Sequence, residues 1–559
     1  MTERERAALR GIRAQLARGE AEAALAALRA LRETASPGFR ARELWRVHEL
    51  FGAAFRLLGD AAGCAQAYYE AARADRFLRS QRAHYSSYLF ALHYLPGISA
   101  AALAAQHFAC GRLYEAREDE GAGARAVPPR PLSRGGGAAS TARPLRVGFL
   151  APDFLDSAAA RFYDVFFDLP RRAFTLHAYS LAAEEDALTA SVRARTAAYR
   201  VLAGEGIAAA DIVRADRLDV LVDLGGHTAG GVTLPLLARR LAPVQLEAVG
   251  WFDTTGVPAV DALLTDGVMD GAGAARLFTE RLCRLPRAWC FTPTAAMRAL
   301  AAQAREAQAA RGTEDARGTQ AGAAAGQAVA GGVTFAAFGN FLKISDAVLA
   351  AWREILCRLP AARLVLQDTL RAPVRVRALR ARLSAQGLPL ARVAVRMGED
   401  GYLAALARAD VVLDTFPYPG GAMTATALAL GVPVLTLAGS HHSARVGCSL
   451  LMAAGHPELI AADAAAYVRT ACELARDSGR RARLRADLLR QQTEEAIAAR
   501  RTDYLRHFAA ALRQLAGGTC ARSERRAALR MAARAGDCLP GEAVYCCCER
   551  SGSTGRRES

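Results

Sequence analysis

The chain contains one lysine, Lys343, among 72 lysine and arginine residues in a sequence of 559. Its compact ammonium differs from a guanidinium in shape, hydration and titration, which makes the position a candidate site. Lys343 lies in GNFLKISD (339–346), between a predicted strand and a predicted helix that Ser345 or Asp346 could cap. At the carboxyl end of a strand, beside a helix amino terminus, an ammonium and free backbone N–H groups suit a phosphate or diphosphate. The alternative is an ordinary surface lysine at the start of a helix.

A second segment of similar design is DTFPYPGGAMTAT (414–426), in which a predicted strand runs into a Pro-Gly-Gly turn and then a helix. Gly420 and Gly421 let the backbone approach a ligand closely, and the helix amino terminus carries partial positive charge. A Gly-Gly pair alone is common in strand–helix turns. Two such turns in one α/β domain reinforce each other, and together they predict an anion-binding site.

The amino-terminal half offers three further candidates near predicted strand ends: Asp153, Arg161 and His227. For each of them a helix cap or a satisfied polar contact is the favoured alternative. The adjacent residues His441 and His442 cannot share one helix face. Because no Ser-His-Asp arrangement and no metal-ligand spacing is evident, no metal site is predicted.

These candidates need a scaffold of alternating strands and helices. Short apolar segments predict the strands, at 145–150, 174–181 and 218–226 in the first half and at 333–339, 362–367, 392–397, 410–416 and 432–439 in the second. A helix predicted over 346–359 has its apolar residues on one face. The alternation predicts two doubly wound α/β domains with a cleft between them, a common site for nucleotides.

The amino-terminal region has an all-helical pattern instead. Residues at the spacing of a tetratricopeptide helix pair are Gly52, Phe55, Cys64, Tyr68 and Ala71. The segment YSSYLFALHYLPGIS (85–99) and the helix after it are predicted to pack this unit on the rest of the chain. The predicted divisions are 1–117 (helical, tetratricopeptide-like), 118–143 (linker), 144–292 (first α/β domain), 293–332 (low-complexity linker), 333–516 (second α/β domain) and 517–559 (disordered tail).

Composition excludes several classes of protein. With 52% hydrophobic residues the chain is not wholly disordered. The net charge of +17 invites a nucleic-acid partner, but the arginines are spread along the whole chain, as on solvated helix faces, so none is predicted. The charged amino terminus predicts a cytoplasmic protein. Prolines and glycines interrupt the uncharged stretch 415–440, so no membrane insertion is predicted. Five of the twelve cysteines lie in the last 40 residues, where a disordered extension is favoured over a metal site because no histidine accompanies them.

Several segments, in collinear order over roughly 85–515, carry a family resemblance. They are LRVGFLAPDF, LDVLVDLGGHT, LAPVQLEAVGWFDTTGVPAVDALLTD, FTERLCRLP, VTFAAFGNFLKISDAVLAAWREIL, ADVVLDTFPYPGG and GVPVLTLAGSHHSARVGCSLLMAAGHPELIA. The sequence resembles the bacterial SPINDLY-like, O-linked N-acetylglucosamine transferases of glycosyltransferase family 41. The resemblance implies a GT-B fold of two Rossmann-like domains with a nucleotide sugar in the cleft. It also implies tetratricopeptide repeats that present a protein acceptor.

The resemblance assigns roles to residues of the second domain. Lys343 stands at the family lysine that contacts the donor diphosphate, and Asn340 at the polar residue three positions before it. The turn of Gly420 and Gly421 matches the diphosphate-binding turn of the family. Tyr402 stands where relatives often place a histidine near the base of the nucleotide.

The same turn departs from the family pattern, which commonly has Gly-Gly-Thr-Thr-Thr. Ala422 and Met423 remove hydroxyl groups that would donate to phosphate, whereas Thr424 keeps one. The acidic family residue that binds ribose aligns with Thr426, which cannot accept the same paired hydrogen bonds. Thr424 and Thr426 nevertheless complete the predicted donor site.

The first domain departs from the pattern in LDSAAAR (155–161). Ser157 replaces a histidine often proposed as catalytic, and Arg161 replaces a second histidine. Neither acts as a general base near neutral pH without strong perturbation, so no catalytic residue is assigned.

Two functions follow from the resemblance. The first is an inverting, metal-independent enzyme that moves a sugar, N-acetylglucosamine from UDP-N-acetylglucosamine, onto protein Ser or Thr, with no cofactor besides its donor. The alternative is a catalytically degenerate relative that keeps the GT-B shell as a protein-binding scaffold.

Overall fold

Six helices form the amino-terminal region in the computed structural model, which describes residues 1–115, 143–206, 208–317, 332–398 and 400–517. They are α1 (Glu3–Ala17), α2 (Ala21–Thr34), α3 (Pro37–Leu58), α4 (Ala61–Ala74), α5 (Leu78–Leu92) and α6 (Ala100–Arg112). Gly52 on α3 lies against the ring of Tyr68 on α4, and a Cβ at Gly52 would come within 2.9 Å of that ring. The glycine therefore permits the close contact between the two helices of the predicted tetratricopeptide pair.

A seven-stranded parallel sheet, in the order β3-β2-β1-β4-β5-β6-β7, forms the first α/β unit. Its elements are β1 (Leu145–Ala151), α7 (Ala160–Tyr163), β2 (Phe174–Ser180), α8 (Ala187–Arg195), β3 (Ala198–Val201), α9 (Ala208–Ala215), β4 (Val220–Asp223), α10 (Leu234–Ala238), β5 (Val244–Glu247), β6 (Ala262–Asp266) and β7 (Arg281–Leu285). Val147 on β1 is paired with Val220 on β4, and both are fully buried. The strand order reverses between β1 and β4, which makes this the switch point beside which ligands bind in doubly wound sheets.

After helix α11 (Ala295–Arg317), a six-stranded parallel sheet in the order β10-β9-β8-β11-β12-β13 forms the second unit. Its elements are β8 (Thr334–Phe338), α12 (Asp346–Arg358), β9 (Arg363–Asp368), α13 (Pro373–Ala385), β10 (Val393–Met397), α14 (Tyr402–Ala407), β11 (Val411–Leu413), α15 (Ala422–Ala429), β12 (Val434–Leu437), α16 (Val446–Ala453), β13 (Ile460–Ala461), α17 (Ala464–Arg476), α18 (Ser478–Arg490) and α19 (Glu494–Gly517). The switch point of this sheet lies between β8 and β11.

The last helix, α19, returns to the first unit. The ring of Phe508 stacks on that of Phe166, with centroids 4.5 Å apart. The hydroxyl of Tyr504 donates to the carbonyl oxygen of Ala288 at 3.1 Å. These contacts join α19 to the first α/β unit.

The helical region contacts both α/β units. A Cβ at Gly111 on α6 would lie 1.8 Å from the carbonyl oxygen of Gly256 in the first unit, so the two backbones meet there without side chains. Arg375 on α13 of the second unit donates to the carbonyl oxygen of Arg56 on α3 at 2.7 Å. The helices are therefore part of the framework around the cleft.

The predicted fold class, two parallel α/β sheets preceded by an all-helical region, is confirmed. Most of the predicted linker 118–143 and nearly all of the predicted tail 517–559 lie outside the described residues. The predicted low-complexity linker 293–332 begins with the 23-residue helix α11, and residues 318–331 lie outside the described part. Within the described part of the chain, no helix combines the length and the apolar character needed to cross a membrane.

Candidate functional site

The two segments predicted to bind an anion both follow strands at the switch point of the second sheet. The segment after β8 enters a short 3-10 turn (Phe341–Lys343), in which the N–H of Leu342 donates to the side-chain oxygen of Asn340 at 3.0 Å. Ser345 then caps α12, and its hydroxyl donates to the carbonyl oxygen of Phe416 at 3.1 Å. This bond ties the turn after β8 to the turn after β11, so the fold brings the two predicted segments together.

Lys343 lies where the two turns meet. Its ammonium donates to the carbonyl oxygen of Pro419 at 2.9 Å and lies 4.7 Å from the centre of the Tyr418 ring. Burial lowers the pKa of Lys343 to about 8, while the Asp414 carboxylate acts in the opposite direction. The ammonium is thus held beside the Pro-Gly-Gly turn and titrates near neutral pH.

Asp414 organises that turn from beneath and was not among the predicted site residues. One carboxylate oxygen accepts from the backbone N–H of Gly420 at 2.6 Å. The other accepts from the hydroxyls of Thr424 at 3.1 Å and Thr436 at 3.0 Å. Burial raises the pKa of Asp414, and Lys343 opposes the rise. A signal existed in the sequence, because Asp414 is an acid at the end of a strand directly before the turn.

The glycines at the turn have different reasons to be glycine. A Cβ at Gly420 would lie 2.7 Å from the Thr424 hydroxyl, so the close packing under the turn excludes a side chain. Gly421 has φ 52° and ψ −110° and lies directly before α15, a conformation that residues with a Cβ rarely adopt. Helix α15 therefore begins at the turn, and the positive end of its dipole lies beside the Lys343 ammonium.

The other predicted residues of the second domain lie near this turn and make different contacts. The oxygen of Asn340 also accepts from Arg375 at 2.5 Å, so it positions the turn after β8. Tyr402 donates to the sulfur of Met423 and packs 5.2 Å from the ring of Phe338. The hydroxyls of the two threonines are engaged internally, that of Thr424 by Asp414 and that of Thr426 by the carbonyl oxygen of Ala422 at 2.8 Å.

The candidates Asp153 and Arg161 make local contacts, and so does Ser157, which stands at a family histidine position. Asp153 accepts from the backbone N–H of Leu155 at 3.1 Å. Ser157 accepts from the N–H of Ala160 at 3.3 Å, and Arg161 forms an ion pair with Asp156. The contacts of Asp153 and Arg161 are of the capping and polar kind given as the alternative for them from sequence.

His227, after β4, is 1% exposed. Its Nε2 donates to the carbonyl oxygen of Thr255 at 2.8 Å, and its Nδ1 lies 2.9 Å from the hydroxyl of Ser86 on α5. Because a carbonyl oxygen only accepts, Nε2 carries the proton and Nδ1 accepts from Ser86. Burial lowers the pKa of His227 to about 4, the bond to Thr255 opposing. The neutral ring with both nitrogens occupied joins the helical region to the first domain and leaves no lone pair for a general base.

A group of histidines that local spacing did not predict lies beside the cleft. His93, just after α5, and His441, after β12, lie close to Asp253, which follows β5. The ring of His93 is 6.1 Å from that of Tyr418, which links this group to the Lys343 turn. These residues are more than 150 positions apart in sequence, so only tertiary structure assembles them.

The two α/β units meet at the loops that follow their strands. Tyr418 of the second unit packs 5.9 Å from Phe252 of the first, and His442 bonds Asp270 across the same junction at 2.7 Å. Two doubly wound sheets with facing loops, a carboxyl-terminal helix that returns to the first, and a cationic turn at the second switch point define the GT-B class. The model of glycosyl transferase family 41 matches residues 131–320 and 292–505. The chain belongs to this family, and the resemblance found in its sequence is confirmed.

Curated relatives and a solved structure show what the chain is similar to. It is 32% identical over 366 residues to a probable UDP-N-acetylglucosamine–peptide N-acetylglucosaminyltransferase SPINDLY of Hordeum vulgare. The aligned segment covers 62% of this chain and 35% of that protein. The Arabidopsis thaliana protein of the same name is 32% identical over 367 residues, covering 62% and 36%. The chain thus spans little more than a third of these relatives. An O-GlcNAc transferase of Thermobaculum terrenum, solved as a lysine-to-methionine mutant, superimposes with a TM-score of 0.70 at 26% identity, covering 93% of this chain and all of that one.

Proposed function

We propose that this chain is a protein O-glycosyltransferase that moves N-acetylglucosamine from UDP-N-acetylglucosamine onto Ser or Thr of an acceptor protein. Membership of family 41 supports the reaction class. The names of the SPINDLY relatives and of the Thermobaculum terrenum enzyme support the sugar and the peptide acceptor. The free thiols of the cysteines in the described residues support a cytoplasmic location.

The observation that carries the proposal is the position of Lys343 beside the amino end of α15. Lys343 contacts the carbonyl oxygen of Pro419, two residues before Gly421, and Gly421 directly precedes α15. An ammonium and a helix amino terminus that converge at a switch point form a site for a diphosphate. Asp414 and Thr424 hold the turn that presents them.

Lys343 and the amino end of α15 can stabilise the UDP that leaves when the sugar is transferred. The acceptor hydroxyl oxygen bonds to the anomeric carbon as the bond from that carbon to the diphosphate oxygen breaks. The hydroxyl proton passes to a base, and UDP departs with the bonding electron pair. Negative charge grows on the diphosphate in the transition state, where the Lys343 ammonium and the α15 dipole stabilise it. We therefore propose an inverting reaction in which these groups, without a metal ion at the diphosphate, stabilise the leaving group.

The test is transfer of labelled sugar to protein. The full chain is incubated with labelled UDP-N-acetylglucosamine and a cell lysate, and labelled protein is detected after denaturing electrophoresis. UDP-glucose and GDP-fucose serve as alternative donors, and Lys343→Ala and the charge-retaining Lys343→Arg serve as variants. We expect labelled protein with the wild type, at least a tenfold loss with Lys343→Ala, and incomplete rescue by Lys343→Arg because a guanidinium has a different shape.

The same experiment separates the transferase from the scaffold alternative. A folded chain that binds UDP but labels no protein with any of the three donors would overturn the transferase proposal in favour of a binding module. Labelling from GDP-fucose or UDP-glucose alone would keep the transferase and correct the sugar.

A further inference from the structure

Three buried side chains from three parts of the fold meet at one place beside the cleft. His93 follows α5 of the helical region, Asp253 lies in the loop after β5, and His441 lies in the loop after β12. One candidate ligand atom from each lies within 4.8 Å of the other two. Their side chains are almost fully enclosed, with 1%, 4% and 5% of each residue exposed. The junction of all three structural units thus holds two imidazoles and a carboxylate.

The carboxylate lacks a partner of opposite charge in direct contact. Asp253 accepts the N–H of the next residue, Thr254, at 2.8 Å, and within the described ranges no arginine or lysine pairs with it. A buried carboxylate of this kind is costly unless a cation accompanies it.

The two imidazoles are held by one hydroxyl. The Oγ of Ser443 lies 2.8 Å from Nδ1 of His93 and 2.8 Å from Nδ1 of His441. When this oxygen accepts from both Nδ1–H groups, each ring is fixed in the tautomer whose Nε2 has a free lone pair. In the described part of the chain, Nε2 of His93 is buried and has no hydrogen-bond partner. A second nitrogen that donates to a neighbouring oxygen is the usual arrangement of histidines that bind metals.

We propose that His93, Asp253 and His441 bind one divalent transition-metal ion, with zinc as the ion that suits two nitrogens and one carboxylate oxygen. Three protein ligands and one open position form a common zinc geometry. A polar cavity of about 340 Å³, lined in part by Asp253 and His441, leads to the group. It offers an entry path for the ion and room for a water as fourth ligand.

The expected role is to hold the three units together. Each ligand belongs to a different unit, so the bound ion stabilises their relative arrangement by mass action on the folded state. None of the three ligands belongs to the Lys343 turn, although the ring of His93 lies 6.1 Å from that of Tyr418. Zinc binding at these ligands does not require the proposed sugar transfer.

The test is metal binding by the full chain after chelator treatment and dialysis. Zinc is titrated against a competing chromophoric chelator, and the bound metal is counted by mass spectrometry. We expect one tight zinc per chain, and at least a hundredfold weaker binding in both His441→Gln and Asp253→Asn. His456→Gln is the matched control, because His456 is buried in the same α/β unit and bonds to Glu458 at 3.0 Å, outside the ligand set. Zinc should raise the melting temperature of the wild type and of the control but of neither ligand variant.

Cobalt, bound in place of zinc, distinguishes a site formed by His93, Asp253 and His441 from one formed by the cysteines at 520–548. Nitrogen and oxygen ligands produce cobalt d–d absorption without a thiolate charge-transfer band, whereas cysteine ligands produce that band. Tight zinc binding that survives in both ligand variants, a thiolate band that accounts for the tight site, or no stoichiometric binding would each overturn the proposal. Asp253→Asn preserves the side-chain shape, so it remains informative if His441→Gln fails to fold.

Discussion

Replacing Lys343 with alanine should weaken the binding of UDP by about 10- to 150-fold. The ammonium uses one of its three N–H donors on the carbonyl oxygen of Pro419 at 2.9 Å. The other two are available to diphosphate oxygens. A hydrogen bond to a charged group contributes about 1.5–3 kcal/mol, and each 1.4 kcal/mol corresponds to about a tenfold change in affinity. The loss of one such bond sets the lower limit, and the loss of a strong or a second one sets the upper.

The assay is isothermal titration calorimetry of the full chain with UDP and with GDP. Lys343→Met, which keeps the length of the side chain without its charge, should lose as much affinity as Lys343→Ala. Lys343→Arg should recover only part, because the guanidinium must fit between Pro419 and the Tyr418 ring, now 4.7 Å from Nζ. Equal UDP affinity, within about twofold, in a folded Lys343→Ala and the wild type would show that Lys343 does not bind the diphosphate.

Three further predictions concern the same turn. Asp414→Asn should lower the free energy of unfolding in urea by about 2–4 kcal/mol, since a neutral amide cannot accept from Gly420 and two threonine hydroxyls at once. The control Asp463→Asn, at the cap of α17, should change that free energy by less than about 0.5 kcal/mol. Equal effects of the two substitutions would contradict the role of Asp414 in holding the turn. Gly421→Ala should cost about 1–3 kcal/mol of stability and also weaken UDP binding, whereas Gly455→Ala, at φ 80° in open space, should cost stability alone; calorimetry and urea unfolding separate the two. UDP affinity should be nearly level around pH 7 and fall above pH 8, by up to about tenfold per pH unit and no further than in Lys343→Ala, because the pKa of Lys343 is about 8 and the neutral amine loses the charged contact to the diphosphate. A profile that stays flat to pH 9.5 would contradict this.

The architecture was accessible from sequence because both sheets are parallel and covered on both faces. Their strands are therefore continuous apolar runs, such as VTFAAFG (333–339) and DVVLDTF (410–416), which local pattern recognises. The strand order was not accessible in this way. It depends on pairings between distant segments, such as Val411 of β11 with Phe335 of β8, and it is this order that makes the segments after β8 and β11 neighbours.

In the candidate site, too, the locally visible residues were predicted and the contacts between distant segments were not. Lys343 and the two glycines were predicted because a unique residue and a Pro-Gly-Gly turn are visible locally. Asp414 was missed although it is an acid at the end of a strand directly before the turn. Its contact with the hydroxyl of Thr436, 22 residues later, depends on tertiary structure and was not visible in the sequence. His227 was considered as a candidate, but its partner Ser86 lies 141 residues earlier, so its joining role was not visible.

Because Lys343 is the one lysine of the chain, its charge can be followed directly by NMR. Protein prepared with side-chain carbon-13 lysine should show one lysine resonance, and its chemical shift reports the charge of that ammonium alone. We expect a pKa of about 8 without ligand and a clear upward shift of that pKa on addition of UDP, because the diphosphate stabilises the charged form. A lysine resonance that titrates identically with and without saturating UDP would contradict the placement of the donor diphosphate at Lys343.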